Sequence, residues 1–123
     1  MPADPSLTIR NLDRGAVLAE RVEVADRWWS RARGLLGRKL REGDGLLIRP
    51  CRAVHMLGMT YPIDVLFLDA DHRVVAIYPG LRPARLTGYH KGAEMALELP
   101  AGVADRTGTR IGDRLSPATL THG

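Results

Sequence analysis

Val65-Leu66-Phe67-Leu68 places four large apolar side chains in a row, and this run constrains the fold more than any other stretch of the chain. Side chains alternate across a strand, so a run that is apolar at every position requires cover on both faces of a sheet. Asp69-Ala70-Asp71-His72 then supplies a turn, and residues 74–78 return the chain. The pattern predicts a hairpin built on a central strand.

Other short segments share this β character. Residues 7–12 alternate weakly, Asp13-Arg14-Gly15 reads as a turn, and Val17, Ala19, Val22 and Val24 recur between charges, which predicts two strands joined by a turn. Leu46-Leu47-Ile48 is short and apolar, and Met95, Leu97 and Leu99 alternate with Ala96 and Glu98. After the first two of these strands, Asp26 is suited to cap a helix, and Trp28, Ala32 and Leu35 or Leu36 follow at helical spacing with Arg27, Arg31 and Arg38 on the other side. An amphipathic helix is expected over residues 27–36, with Gly34 marking close packing and Gly37 ending it. Residues 103–107 suggest one further helical turn before Gly108. At least six strands, one real helix and no regular strand–helix alternation predict an α+β fold with a mainly antiparallel, curled or barrel-like sheet.

At 123 residues, with 45% hydrophobic and 26% charged side chains, the chain is the size and composition of one globular domain. Its opening residues carry neither the basic nor the apolar region of a secretory signal, and no apolar run approaches bilayer length. With one cysteine, Cys51, no internal disulfide is possible. A cytoplasmic protein with no membrane association is the expectation. Sixteen of the eighteen basic residues are Arg, and six of the basic residues fall between Arg27 and Arg41. Such a face can meet phosphate, but it lacks interleaved aromatics and reads first as a solvated helix surface, so nucleic acid is not the favoured partner.

Chemistry-bearing side chains are densest from Pro50 to Asp69. In an extended chain Cys51, Ala53, His55 and Leu57 share a face; in a helix Cys51, His55 and Met59 do. Soft sulfur and nitrogen ligands suit copper(I) or zinc, but structural zinc sites take four Cys or His ligands and one Cys is present, so no metal or cofactor is assigned. A Cys51 nucleophile activated by His55 needs a third, orienting group that nothing local supplies. Asp64 and Glu98 sit at strand positions beside apolar neighbours, where either lines a pocket or plays a structural part: backbone bonding for Asp64, solvent contact for Glu98. Hydrolase, P-loop, dinucleotide and zinc-protease signatures are missing.

Read together, the order of these features resembles one family. Arg33-Gly34-Leu35-Leu36-Gly37-Arg38, Gly45-Leu46-Leu47-Ile48, Pro50-Cys51 with His55 and Met59, and the run from Pro62 to Asp69 are similar to the domain-of-unknown-function 192 family. Leu97-Glu98-Leu99-Pro100-Ala101-Gly102 and Gly112-Asp113 continue the match. The resemblance spans roughly residues 15–116, leaving 1–14 as an arm with the first strand and 117–123 as a frayed tail. It implies a compact α+β domain with a barrel-like sheet and brings no established activity or cofactor. Recurrent positions carried over are Arg33, Gly34, His55, Met59, Asp64, Asp69, Glu98, Gly102 and Asp113. Two departures stand out: His72 replaces a usual turn glycine, and Leu57-Gly58 replaces a bulky aromatic before the methionine.

The favoured function is a binding module that holds a small ligand or a protein partner around His55, Met59 and Asp64, with Glu98, Arg33 and Cys51 as further contact candidates. Gly34, Gly37, Asp69, Gly102, Gly112 and Asp113 are expected to be structural. No catalytic residue is assigned. The alternative is a small acid–base enzyme using His55 with Asp64 or Glu98. A nucleic-acid binder using the Arg27 to Arg41 face comes third.

Overall fold

The computed structural model describes residues 7–25 and 39–116. Six strands run in chain order as β1 (Leu7–Asn11), β2 (Ala16–Ala25), β3 (Asp44–Ile48), β4 (Ile63–Leu68), β5 (Val74–Leu81) and β6 (Met95–Pro100), followed by one short helix, α1 (Val103–Arg106). They form one sheet in the order β1-β2-β3-β6-β4-β5. Four of the pairings are antiparallel, while β2 and β3 run parallel in register from Arg21 opposite Asp44 to Ala25 opposite Ile48. Parallel neighbours need a long crossover, and the stretch between Ala25 and Asp44 supplies its length. The expected helix over residues 27–36, with Arg33, Gly34 and Gly37, lies outside the described residues.

Burial explains the central position of β4. All six of its residues are buried, as are the first five of β6 beside it. One face of the sheet gathers Leu47, Leu66, Leu68, Leu97 and Leu99 with Ile9, Leu18, Val22, Val103 and Leu115. The other gathers Leu46, Ile48, Ile63, Val65, Phe67 and Ala96 with Leu40, Val54 and Met56 from the connecting segments. The unbroken apolar run of β4 is therefore the sequence trace of a strand covered on both sides.

The sheet is not a closed barrel, which corrects that expectation. β1 and β5 lie at opposite ends and do not pair. The C-terminal segment reaches both instead: Leu115 bridges Asn11 of β1, Arg114 bridges Arg73 just before β5, and the Val74 N–H donates to the Asp113 carbonyl at 2.9 Å. One short segment thus touches both ends of a curled sheet without completing a ring of strands. Asp113 secures this seam. Its carboxylate accepts from Asn11 Nδ2 at 2.9 Å, Arg14 Nε at 3.0 Å and the Arg110 N–H at 2.9 Å.

The β4–β5 turn is held by Asp69, whose Oδ1 accepts from the Asp71 and Arg73 N–H groups, both at 2.9 Å. His72 sits in this turn at φ 65°, a left-handed conformation that favours glycine.

Candidate functional site

Asp64 and Glu98 come from adjacent strands, and their surroundings differ completely. Asp64 is fully buried on the face of Leu66 and Leu99. Its Oδ1 accepts from the Gly80 N–H at 2.8 Å, its Oδ2 accepts from the Ala104 N–H at 2.9 Å, and the Gly102 N–H reaches both oxygens at 3.2 Å. The first amides of a helix lack intrahelical partners, and Gly102, the capping residue at φ 100°, has no side chain to offer. Asp64 caps α1 from a neighbouring strand and ties it to the end of β5. That work occupies the carboxylate.

Glu98 points to the opposite face, between Leu46 of β3 and Val65 of β4. It is 5% exposed and makes no hydrogen bond or ion pair with any described residue. Burial penalises the charged form and pushes this carboxyl up to about 7. The expected solvent-facing Glu98 is corrected: β6 lies between two strands with both faces covered, so alternation here separates two buried faces instead of wet from dry.

The same row across the sheet continues through Val65 to Tyr78 on β5. Tyr78 Oη accepts from the Gly88 N–H at 3.0 Å and lies 2.8 Å from His90 Nε2. The His90 ring also packs against Phe67, their centroids 4.7 Å apart. Neither residue stands out in the sequence, because the pair forms only when residues 84–93 fold back over β5.

Above this face, residues 52–57 and 84–90 pair as a two-stranded ribbon. Met56 N–H donates to the Arg85 carbonyl at 2.8 Å, Thr87 N–H to the Val54 carbonyl at 2.9 Å and His90 N–H to the Arg52 carbonyl at 2.8 Å. Val54 and Met56 turn inward to the core, while His55, opposite Leu86, is exposed. Met59 and Tyr61 pack against the apolar cluster of the Glu98-bearing face, and the half-buried Cys51 does too, its thiol donating to the Ala53 carbonyl at 3.2 Å. No hydrogen bond joins His55 to Cys51, Asp64 or Glu98, so the crowding of these residues in sequence does not become a bonded set. Arg33 lies outside the described residues. Among the described residues no group of three or more His, Cys, Asp or Glu is placed to hold a metal ion, and no helix is long and apolar enough to cross a membrane.

These features define a mainly β protein of one open, mixed sheet with a short helix and a buried carboxyl group on one covered face. The chain belongs to the DUF192 family, described as an uncharacterized ACR, whose model matches residues 9–117. It is 34% identical over 110 residues to a UPF0127 protein of Thermococcus sibiricus, covering 85% of this chain and 71% of the relative. To a UPF0127 protein of Pyrococcus furiosus it is 31% identical over 109 residues, covering 85% and 93%. Two crystal structures share the fold at 25% identity. A protein of unknown function from Novosphingobium aromaticivorans aligns with TM-score 0.76 over 89% of this chain and 82% of its own. A Sinorhizobium meliloti protein provisionally described as a transcription regulator aligns with TM-score 0.77 over 89% of each chain.

Proposed function

We propose that this protein is a binding module that holds a small basic molecule on the Glu98-bearing face, without turning it over. The observation that carries the reading is Glu98 itself: a carboxyl group removed from water, set between Leu46 and Val65, and lacking any partner among the described residues. An unpaired buried acid is costly, and such groups concentrate where a ligand or a proton completes the site. Met59 and Tyr61, packed against the apolar cluster that includes Leu46 and Val65, offer soft, apolar surface on the same face. Asp64 serves the frame and His55 the outer ribbon, so the centre moves from His55, Met59 and Asp64 to Glu98 and Met59.

Acid–base turnover by His55 with Asp64 or Glu98 is less well supported, since Asp64 is committed to backbone amides and no hydrogen bond links His55 to Glu98.

Thermal melts with butylamine, putrescine and agmatine test the proposal. The expected result is a rise in melting temperature that strengthens above neutral pH, where the carboxylate form prevails, and that disappears in Glu98→Gln. Melts unmoved by every amine, or moved equally in Glu98→Gln, would overturn it.

A further inference from the structure

The ribbon and the residues that flank it carry a second set of exposed groups, independent of Glu98. Leu57, Leu86 and Tyr89 are 56%, 66% and 71% exposed, three of the five large hydrophobic side chains that stand most in water among the described residues. In and beside the ribbon's two segments Arg82, Arg85 and Lys91 are exposed and form no ion pair with any described residue, while Arg52 has a loose contact to Glu94 at 3.4 Å. Neither residues 50–63 nor residues 79–93 contain an Asp or Glu. Arg52, Arg82, Arg85 and Lys91 together equal the chain's entire formal charge of +4.

Backbone geometry adds a third element. His55 and Leu86 oppose each other without exchanging hydrogen bonds, which turns the N–H and C=O of His55 outward along the ribbon edge. Neither the His55 nor the Leu57 N–H donates within the described structure. An extended chain can add to such an edge, taking affinity from main-chain bonds and selectivity from side chains.

We propose that this ribbon docks an acidic, extended segment of a partner protein, which adds along the edge at His55 and Leu57, sets apolar side chains on Leu57 and Leu86, and pairs carboxylates with Arg82, Arg85 and Lys91. The alternatives fit less well. Single-stranded nucleic acid is held by stacking on successive aromatic rings, whereas Tyr89 and His55 share this ribbon with two exposed leucines that cannot stack. A bilayer surface would attract the cations, yet its hydrocarbon offers nothing to an outward-facing backbone edge.

The test uses the full chain and a short fluorescein-labelled peptide that alternates glutamate with leucine, read by anisotropy at low and high salt. Controls are the same peptide with lysine for glutamate, the acidic peptide N-methylated at alternate amides, a single-stranded oligonucleotide, and phosphatidylglycerol vesicles. The acidic peptide is expected to bind and to weaken with salt, while the lysine peptide does not bind. Arg82→Glu with Arg85→Glu, and separately Leu57→Ser with Leu86→Ser, should each weaken binding about tenfold or more, as charge reversal or loss of an anchor does at an interface. All four positions are exposed, and an unchanged melt confirms that the variants fold. N-methylation should abolish binding, separating strand addition from simple charge attraction. No binding of the acidic peptide, equal binding of the N-methylated form, or preference for the oligonucleotide or the vesicles would each overturn the proposal.

Discussion

Asp64 and Glu98 stand one register step apart on adjacent strands and face opposite sides of the sheet. Leu99 lies opposite Asp64, and Glu98 opposite Val65, so the sheet itself separates the two carboxyl groups. One accepts from three backbone amides; the other has no partner among the described residues. A shared acid–base pair is excluded by this parity, and each residue carries its own prediction.

Glu98 makes stability fall as pH rises. Below the ordinary carboxyl value of 4.5 the group is protonated in both folded and unfolded chains and carries no penalty. Between 4.5 and about 7 the unfolded chain releases its proton first, so the unfolded state gains. Above that window the penalty is complete, about 3 kcal/mol as an upper figure. Glu98→Gln is expected to melt above the parent protein near pH 8 and close to it near pH 5. Parallel melting curves at both pH values would show that burial of the charge is not the cause.

Asp64→Asn replaces one accepting oxygen with an N–H₂ group aimed at backbone donors. Loss of a buried, charge-assisted cap of this kind costs about 2–4 kcal/mol. The expected outcome in denaturant titration is a lower midpoint, with any amine response of the surviving folded protein intact. A variant of normal stability that has lost its ligand response would instead make Asp64 a contact residue.

Asp113 works in the opposite pH range to Glu98. Burial alone would raise its pKa, but the Arg14 guanidinium, the Asn11 amide and the Arg110 N–H together hold it down at about 2. A lowered folded value stabilises the fold above the ordinary 3.8 and is lost as pH falls towards about 2. With Arg14 partly in water, the loss is on the order of 1–2 kcal/mol. Asp113→Asn should be less stable at neutral pH and show a shallower acid transition. An unchanged acid midpoint would sink this assignment.

His72 occupies a left-handed turn position that costs a side-chain-bearing residue about 1 kcal/mol, part of which glycine returns through its looser unfolded chain. His72→Gly is therefore expected to raise stability by about 0.5 kcal/mol, and the β-branched His72→Val to lower it. Chemical denaturation of the two variants measures both signs. A destabilised His72→Gly would mean that the imidazole contributes more than its backbone costs.

Local chemistry determined much of this protein from the sequence alone. The doubly covered β4 was legible in Val65 to Leu68, the β4–β5 hairpin in Asp69 to His72, and β6 in the alternation of Met95, Leu97 and Leu99, because strand period and turn propensity act between near neighbours. Family membership was legible from motif order. Tertiary structure decided what depends on pairing between distant segments: the parallel β2–β3 contact, the open sheet spanned by the C-terminal segment, the ribbon of residues 52–57 with 84–90, and the Tyr78–His90 contact. It also decided the two acids. Asp64 and Glu98 look alike in sequence, each set between apolar neighbours, and only the register of β4 against β6, with α1 arriving beside one face, makes the first a cap and leaves the second without a partner among the described residues.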